Sequence, residues 1–289
     1  MRTVRTAADL RAALASRAGT IGLVPTMGAF HEGHLSLMRA ARERCDTVVV
    51  SLFVNPAQFD DAGDLGAYPR DEARDAALAE REGVDVLFAP APEEVYPRGF
   101  ATSVHVAEVT GTLEGAHRPG HFDGVATVVT KLLNLVGPDV AFFGRKDAQQ
   151  AAMVRRLVRD LDLAVEIDVR PTVREPDGLA MSSRNARLSP ADRERATALA
   201  RALRAVEGAA EEGVEAALAA GRAELAGVDV EYLEVVDPDT LRPVPSFEEA
   251  ETLVAVAARV GEVRLIDNTI VRAGDRAHGE TKRGIPCNA

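Results

Sequence analysis

Five apolar, β-branched runs alternate with helix-patterned stretches as far as Arg170, and this alternation limits the fold more than any other feature. The runs are Ile21–Pro25, Thr47–Val54, Val84–Ala89, Asp139–Phe143 and Ala164–Arg170. Helical spacing appears near Leu35–Arg44, Asp71–Glu82, Gly124–Val136 and Ala148–Asp160. Continuously apolar strands separated by helices predict a parallel sheet covered on both faces. The expected class is α/β, with a doubly wound, Rossmann-like parallel sheet whose ligands lie at the carboxyl ends of its strands. Near Pro171 the pattern changes. Two Ala/Glu/Arg-rich stretches, Pro190–Gly208 and Glu211–Ala226, precede three short strands, Asp229–Val236, Thr252–Ala258 and Val263–Asp267. This predicts a Rossmann-like domain over residues 1–172 and a smaller α+β domain over 173–289.

The strand ends carry the chemistry. After the first run comes Pro25-Thr26-Met27-Gly28-Ala29-Phe30-His31-Glu32-Gly33-His34. A strand, a glycine-bearing turn and a helix start form an anion site, because free N–H groups and the positive helix end face the ligand. Two histidines at spacing three are too few for zinc, and His-Glu-x-x-His is absent. Neither a P-loop nor a Gly-x-Gly-x-x-Gly fingerprint is present. The plainer reading is that the histidines cap or pack at the helix start.

Three further segments lie at comparable positions. Gly144-Arg145-Lys146-Asp147-Ala148-Gln149-Gln150 puts two cations at the sheet mouth, an aspartate that either caps a helix or meets a ribose or metal, and an amide one turn on. Met181-Ser182-Ser183-Arg184-Asn185 offers small hydroxyl donors and a guanidinium, which suit a polyphosphate. Asn55-Pro56-Ala57-Gln58 sets two neutral amides in an apolar frame, which suits a small hydroxy acid, although Asn-Pro alone also makes a turn. His117–Phe122 adds a cationic rim, Gln58–Arg70 reads as a long lid-like loop, and His105 and His278 read as structural or surface residues. Ser189-Pro190 is the expected cap of the helix that follows.

Bulk properties narrow the function classes. The chain has 289 residues, 46% hydrophobic and 27% charged, with a formal net charge of −11. An acidic chain is a poor non-specific binder of nucleic acid or anionic membrane, while a small anionic substrate needs only local positive charge. Cys45 and Cys287 make no disulfide framework or zinc spacing. No run reaches the length of a membrane span and no signal peptide opens the chain, so a cytoplasmic protein is expected. Lysine occurs only at 131, 146 and 282, which draws attention to Lys146.

Taken in order and spacing, these segments resemble the pantoate–β-alanine ligase (pantothenate synthetase) family of the His-x-Gly-His nucleotidyltransferase superfamily, from about Thr20 to Asp267. The resemblance implies a two-step reaction. Pantoate attacks the α-phosphorus of ATP to give pantoyl adenylate and pyrophosphate, and β-alanine then displaces AMP. It implies catalytic roles for His34 as proton donor, His31 and Lys146. ATP would be bound by Met27, Gly28, Ala29, Phe30, His31, Glu32, Gly33, His34, Gly144, Arg145, Lys146, Asp147, Val173, Met181, Ser182, Ser183 and Arg184, the last four reaching over from the second domain. Gln58 and Gln150 would hold pantoate, and Gln58 would border β-alanine. Arg118 and Tyr68 are further contributors. Mg2+ on the ATP phosphates, a homodimer and a cytoplasmic setting are also implied. Arg145 and Ala148 depart from the Glu and Tyr common among relatives. Two other readings are a nucleotidyltransferase acting on a small phosphorylated substrate and a non-catalytic nucleotide-binding module. The amide pair at Gln58 and Gln150 favours the ligase.

Overall fold

Val48, Val49 and Val50 are consecutive and fully buried. Successive strand residues face opposite ways, so all three are buried only where both sheet faces are covered. The computed structural model, which describes residues 1–15, 17–60, 62–248 and 251–272, has that arrangement. His278, Lys282 and Cys287 lie outside the described residues.

The chain divides into two compact units, Met1–Leu188 and Ser189–Ala289. The first contains β1 (Arg2–Val4), α1 (Ala7–Leu14), β2 (Ile21–Thr26), α2 (Glu32–Arg44), β3 (Thr47–Leu52), α3 (Ala62–Ala67) and α4 (Glu72–Arg81). It continues through β4 (Val86–Phe88), α5 (Pro92–Val95), α6 (Leu113–His117), α7 (His121–Val136), β5 (Val140–Gly144), α8 (Ala148–Asp160) and β6 (Glu166–Arg170). Its six strands run parallel in the order β1-β4-β3-β2-β5-β6. From β2 the chain steps outward through β3 to β4, then crosses back to place β5 on the other side of β2. The order therefore reverses between β2 and β5, and a doubly wound sheet opens its ligand crevice at the carboxyl ends of such a pair. The turns after Thr26 and Gly144 meet there.

One side of the sheet is sealed by α2, which buries Leu37, Met38, Ala40 and Ala41 against Val24, Val48, Val50 and Phe142. A second helix, α7, approaches the polypeptide unusually closely. A Cβ on Gly124 would lie 2.2 Å from the Ala57 carbonyl oxygen and 2.7 Å from the Gln58 nitrogen. Glycine there lets α7 press directly on the turn that carries Gln58.

The second unit contains α9 (Pro190–Gly208), α10 (Val214–Glu224), β7 (Asp229–Val236), β8 (Glu251–Val260) and β9 (Val263–Arg272). Its strands form an antiparallel sheet in the order β7-β8-β9. Ser189 caps α9 by accepting the Asp192 N–H, as expected.

Several expectations are corrected. The first unit extends to Leu188, so Val173 and Met181–Arg184 belong with the parallel sheet rather than with the second unit. Within this segment Met181 N–H donates to the Val173 carbonyl, and Arg174 bridges Ala180. The stretch read as a loop over Gln58–Arg70 contains the helix α3. Helix α2 begins at Glu32, not Leu35, which puts His31 at its N-cap and His34 on its first turn. The edge strand β1, three residues long, and the helix α1 were not anticipated. No helix among the described residues is long and apolar enough to cross a membrane.

Candidate active site

Two walls meet beyond the carboxyl ends of β2, β3 and β5 to form a cleft of about 1450 Å³ including its open mouth. Its lining includes Met27, His31, Gly33, His34, Gln58, Gly144, Lys146, Asp147, Gln150, Val173, Met181, Ser182, Ser183 and Arg184. Segments distant in sequence converge there.

The histidines both cap and line the cleft. His31 is the N-cap of α2, and its Nδ1 accepts the Gly33 N–H at 3.2 Å. The Nδ1 of His34 accepts the His31 N–H at 3.3 Å. An accepting Nδ1 carries no proton, so a neutral ring must carry its hydrogen on Nε2. Burial, with Lys146 as the next contributor, pushes His31 down to about 4. Burial, with His31 next, pushes His34 down to about 3. Both rings are therefore neutral near pH 7, and each keeps an Nε2–H donor after satisfying the helix end. Capping and ligand-facing roles use different ring nitrogens.

The turn before them is fixed by a carboxylate that sequence reasoning missed. Asp75 on α4 is 1% exposed and accepts the Ala29 N–H at 2.7 Å and the Phe30 N–H at 2.9 Å. Gly28 has a φ of +91° and Ala29 one of +52°, a region in which glycine is at ease and alanine is strained. A Cβ on Gly28 would sit 2.7 Å from Leu52 Cδ1. Of the expected ATP ligands Gly28, Ala29 and Phe30, the last two give their N–H groups to Asp75, and the Phe30 side chain is in the core. Glu32 also points elsewhere, pairing with Arg39. Arg145 is absent from the lining.

On the β5 side, Lys146 Nζ lies 3.3 Å from Asp147 Oδ1. Asp147 occupies the N-cap position of α8, yet its side chain makes no capping hydrogen bond. Desolvation opposes its charge, but Lys146, followed by Arg184, outweighs that and holds the carboxyl below its usual range. A carboxylate not spent on its helix is available to a ligand. The neighbouring Gln149 is structural: its Nε2 donates to the Val109 and Thr112 carbonyls, and its Oε1 accepts the Glu114 N–H. Gln150 reaches the cleft instead.

The orientation of Gln58 follows from its neighbours. Asn55 is 1% exposed. Its Oδ1 accepts the Ala57 N–H and the Tyr96 hydroxyl, and its Nδ2 donates to the Gly124 carbonyl and to Gln58 Oε1. Backbone partners of fixed polarity leave only one orientation of Asn55. The Gln58 carbonyl oxygen is thereby engaged, and its amide N–H groups are the ones offered to a ligand. His121 Nδ1 donates to the Gln58 backbone carbonyl at 2.8 Å, and Arg118 pairs with Asp60 at 3.1 Å. Val125, Val128, Val129 and Leu132 of α7 add an apolar wall. Tyr68 is buried and lines the cleft. His105 is remote and pairs with Asp123 on the surface.

Known proteins resemble this chain in sequence and fold. The family model described as Pantoate-beta-alanine ligase matches residues 2–270. Pantothenate synthetase of Cereibacter sphaeroides is 57% identical over 273 residues, covering 92% of this chain and 98% of that one. The crystal structure of pantothenate synthetase from Thermus thermophilus superposes with a TM-score of 0.89 at 51% identity, covering 93% of this chain and 99% of that chain. A Francisella tularensis pantoate-beta-alanine ligase, solved with beta-gamma ATP and beta-alanine, matches with a TM-score of 0.79 at 34% identity and covers 93% of this chain and 97% of that chain.

Proposed function

The chain belongs to the pantoate–β-alanine ligase family, and from that premise we propose how its side chains divide the work of making pantothenate. It is an ATP-using ligase that joins pantoate to β-alanine. The observation that carries the residue-level reading is the meeting of phosphate donors and an oriented amide in one cleft at the β2–β5 reversal.

ATP places its triphosphate between the α2 start and the Ser182–Arg184 turn. Phosphoryl transfer of this kind depends on in-line placement and on neutralising charge on the leaving pyrophosphate. Lys146 and Arg184 supply the charge, and the Nε2–H groups of His31 and His34 supply neutral donors. Because His34 is neutral, it acts by hydrogen bonding rather than as a cationic acid. Val173 spends its carbonyl on Met181 N–H and offers its own N–H to the adenine. Asp147 takes the ribose.

Pantoate lies against the α7 wall, with its polar groups on the amides of Gln58 and Gln150. Its carboxylate attacks the α-phosphorus, the bond to pyrophosphate breaks, and pantoyl adenylate forms. The β-alanine amine, entering beside Gln58, then attacks the acyl carbon and expels AMP. Among the described residues no three metal-ligating side chains cluster. Mg2+ would therefore be held by the nucleotide phosphates and would add charge neutralisation there. A homodimer and a cytoplasmic setting are inferred from the family resemblance.

A three-substrate assay tests this reading. Repeated turnover to pantothenate and AMP, with pyrophosphate in equal amount, should require ATP, pantoate and β-alanine together. Formation of ADP in place of AMP, or turnover without pantoate, would overturn it.

A further inference from the structure

The helix α3 sits in the stretch between the Gln58 turn and α4, and its acidic residue is tied to the far wall of the cleft. Asp64 Oδ2 accepts from Arg184 Nη2 at 2.8 Å, and Asp64 Oδ1 accepts from Arg187 Nη1 at 3.0 Å. The three charged side chains are mostly or partly shielded from solvent, at 24%, 28% and 41% exposure for Asp64, Arg184 and Arg187. Further along the same stretch, Tyr68 lines the same cleft as Ser183. The α3 segment and the Ser182–Arg187 turn thus meet through Asp64, which contacts both arginines.

The arrangement differs from a plain surface ion pair in three respects. One carboxylate faces two guanidinium groups, so the cluster keeps a net positive charge that can attract an anion. Arg184 lines the cleft, whereas Arg187 does not. Arg184 gives an Nη2–H to Asp64, which restrains the guanidinium while its fork carries further N–H donors. Arg187 also keeps Asp64 compensated when Arg184 turns its remaining donors to a phosphate.

We propose that Asp64 is a positioning residue for the first reaction step, holding Arg184 so that its guanidinium meets the ATP triphosphate already oriented. This rests on the reading of Arg184 as a phosphate donor. A long, mobile arginine must otherwise be ordered when the nucleotide arrives, and a preset one avoids that loss.

The test is a double-mutant cycle on the full chain, followed by pantoate-dependent ATP–pyrophosphate exchange. Asp64→Ala should raise KM for ATP about tenfold, with a smaller change in kcat and KM for pantoate within about twofold. Asp64→Asn, which keeps the shape without the charge, should move KM for ATP the same way and serves if the alanine variant folds poorly. In an Arg184→Ala background, Asp64→Ala should add nothing further to KM for ATP. If Arg184→Ala raises that KM while Asp64→Ala and Asp64→Asn leave it unchanged, the positioning role is overturned and the phosphate role of Arg184 stands. The positioning role is equally overturned if Asp64→Ala is as damaging without Arg184 as with it. If Arg184→Ala leaves KM for ATP unchanged, the phosphate role itself fails and the inference falls with it.

Discussion

Lys146→Ala is expected to slow formation of the acyl adenylate by about 10²–10³, with the fold intact. Lys146 closes the β5 side of the cleft beside the sheet's reversal point, and its side chain is 20% exposed. As pyrophosphate leaves, negative charge accumulates on oxygens that a positioned cation stabilises more in the transition state than in bound ATP. Binding of ATP should weaken less than the rate falls. The substitution has a second consequence. Asp147 carries its charge against the cost of desolvation because Lys146 offsets that cost. Without the lysine, its carboxyl should titrate higher. Lys146→Arg should restore charge but only part of the rate, since a planar fork does not replace a compact ammonium. Single-turnover measurement of adenylate formation reads the loss directly, and a change under about threefold would contradict the role given to Lys146.

His34→Ala is expected to cost about 10²-fold in the same step, and His34→Gln to recover part of it by supplying a neutral N–H. The expected pH behaviour follows from the ring's protonation. Burial lowers His34 to about 3 and His31 to about 4, so neither ring gains or loses a proton between about pH 6.5 and 8. A histidinium acting as a general acid would instead lose activity as pH rises through its ordinary value near 6.5. The neutral-donor account predicts kcat/KM for ATP without such a fall. An activity that drops on raising pH through about 6.5, and that loses this drop in His34→Gln, would show the ring acting as an acid.

The fold and the main donors were legible in the sequence because their signals are local. Doubly buried strands read as unbroken valine runs, and the His31–His34 turn follows its strand within a few residues. Lys146 and Gln150 are read in the same way from the end of β5. What escaped depends on distance along the chain. Asp75 serves Ala29 from 46 positions away and Asp64 serves Arg184 from 120; each is an unremarkable acidic residue until the fold brings its partner. The same distance hides how the Ala29 and Phe30 N–H groups are spent. A glycine turn at a helix start implies N–H groups aimed at an anion, and here the anion for two of them is the protein's own Asp75. The tie between Val173 and Met181 is a backbone pairing with no side-chain signature, so the change of composition near Pro171 stood in for the boundary that packing places after Leu188.

The central claim is that the cleft activates a carboxylate as an adenylate before any amine is needed. Labelled pyrophosphate exchange into ATP, measured with β-alanine omitted, tests it most directly. The account predicts exchange that requires pantoate, saturates with it and is nearly abolished in Lys146→Ala. Exchange that proceeds equally without pantoate, or that appears only when β-alanine is added, would contradict it.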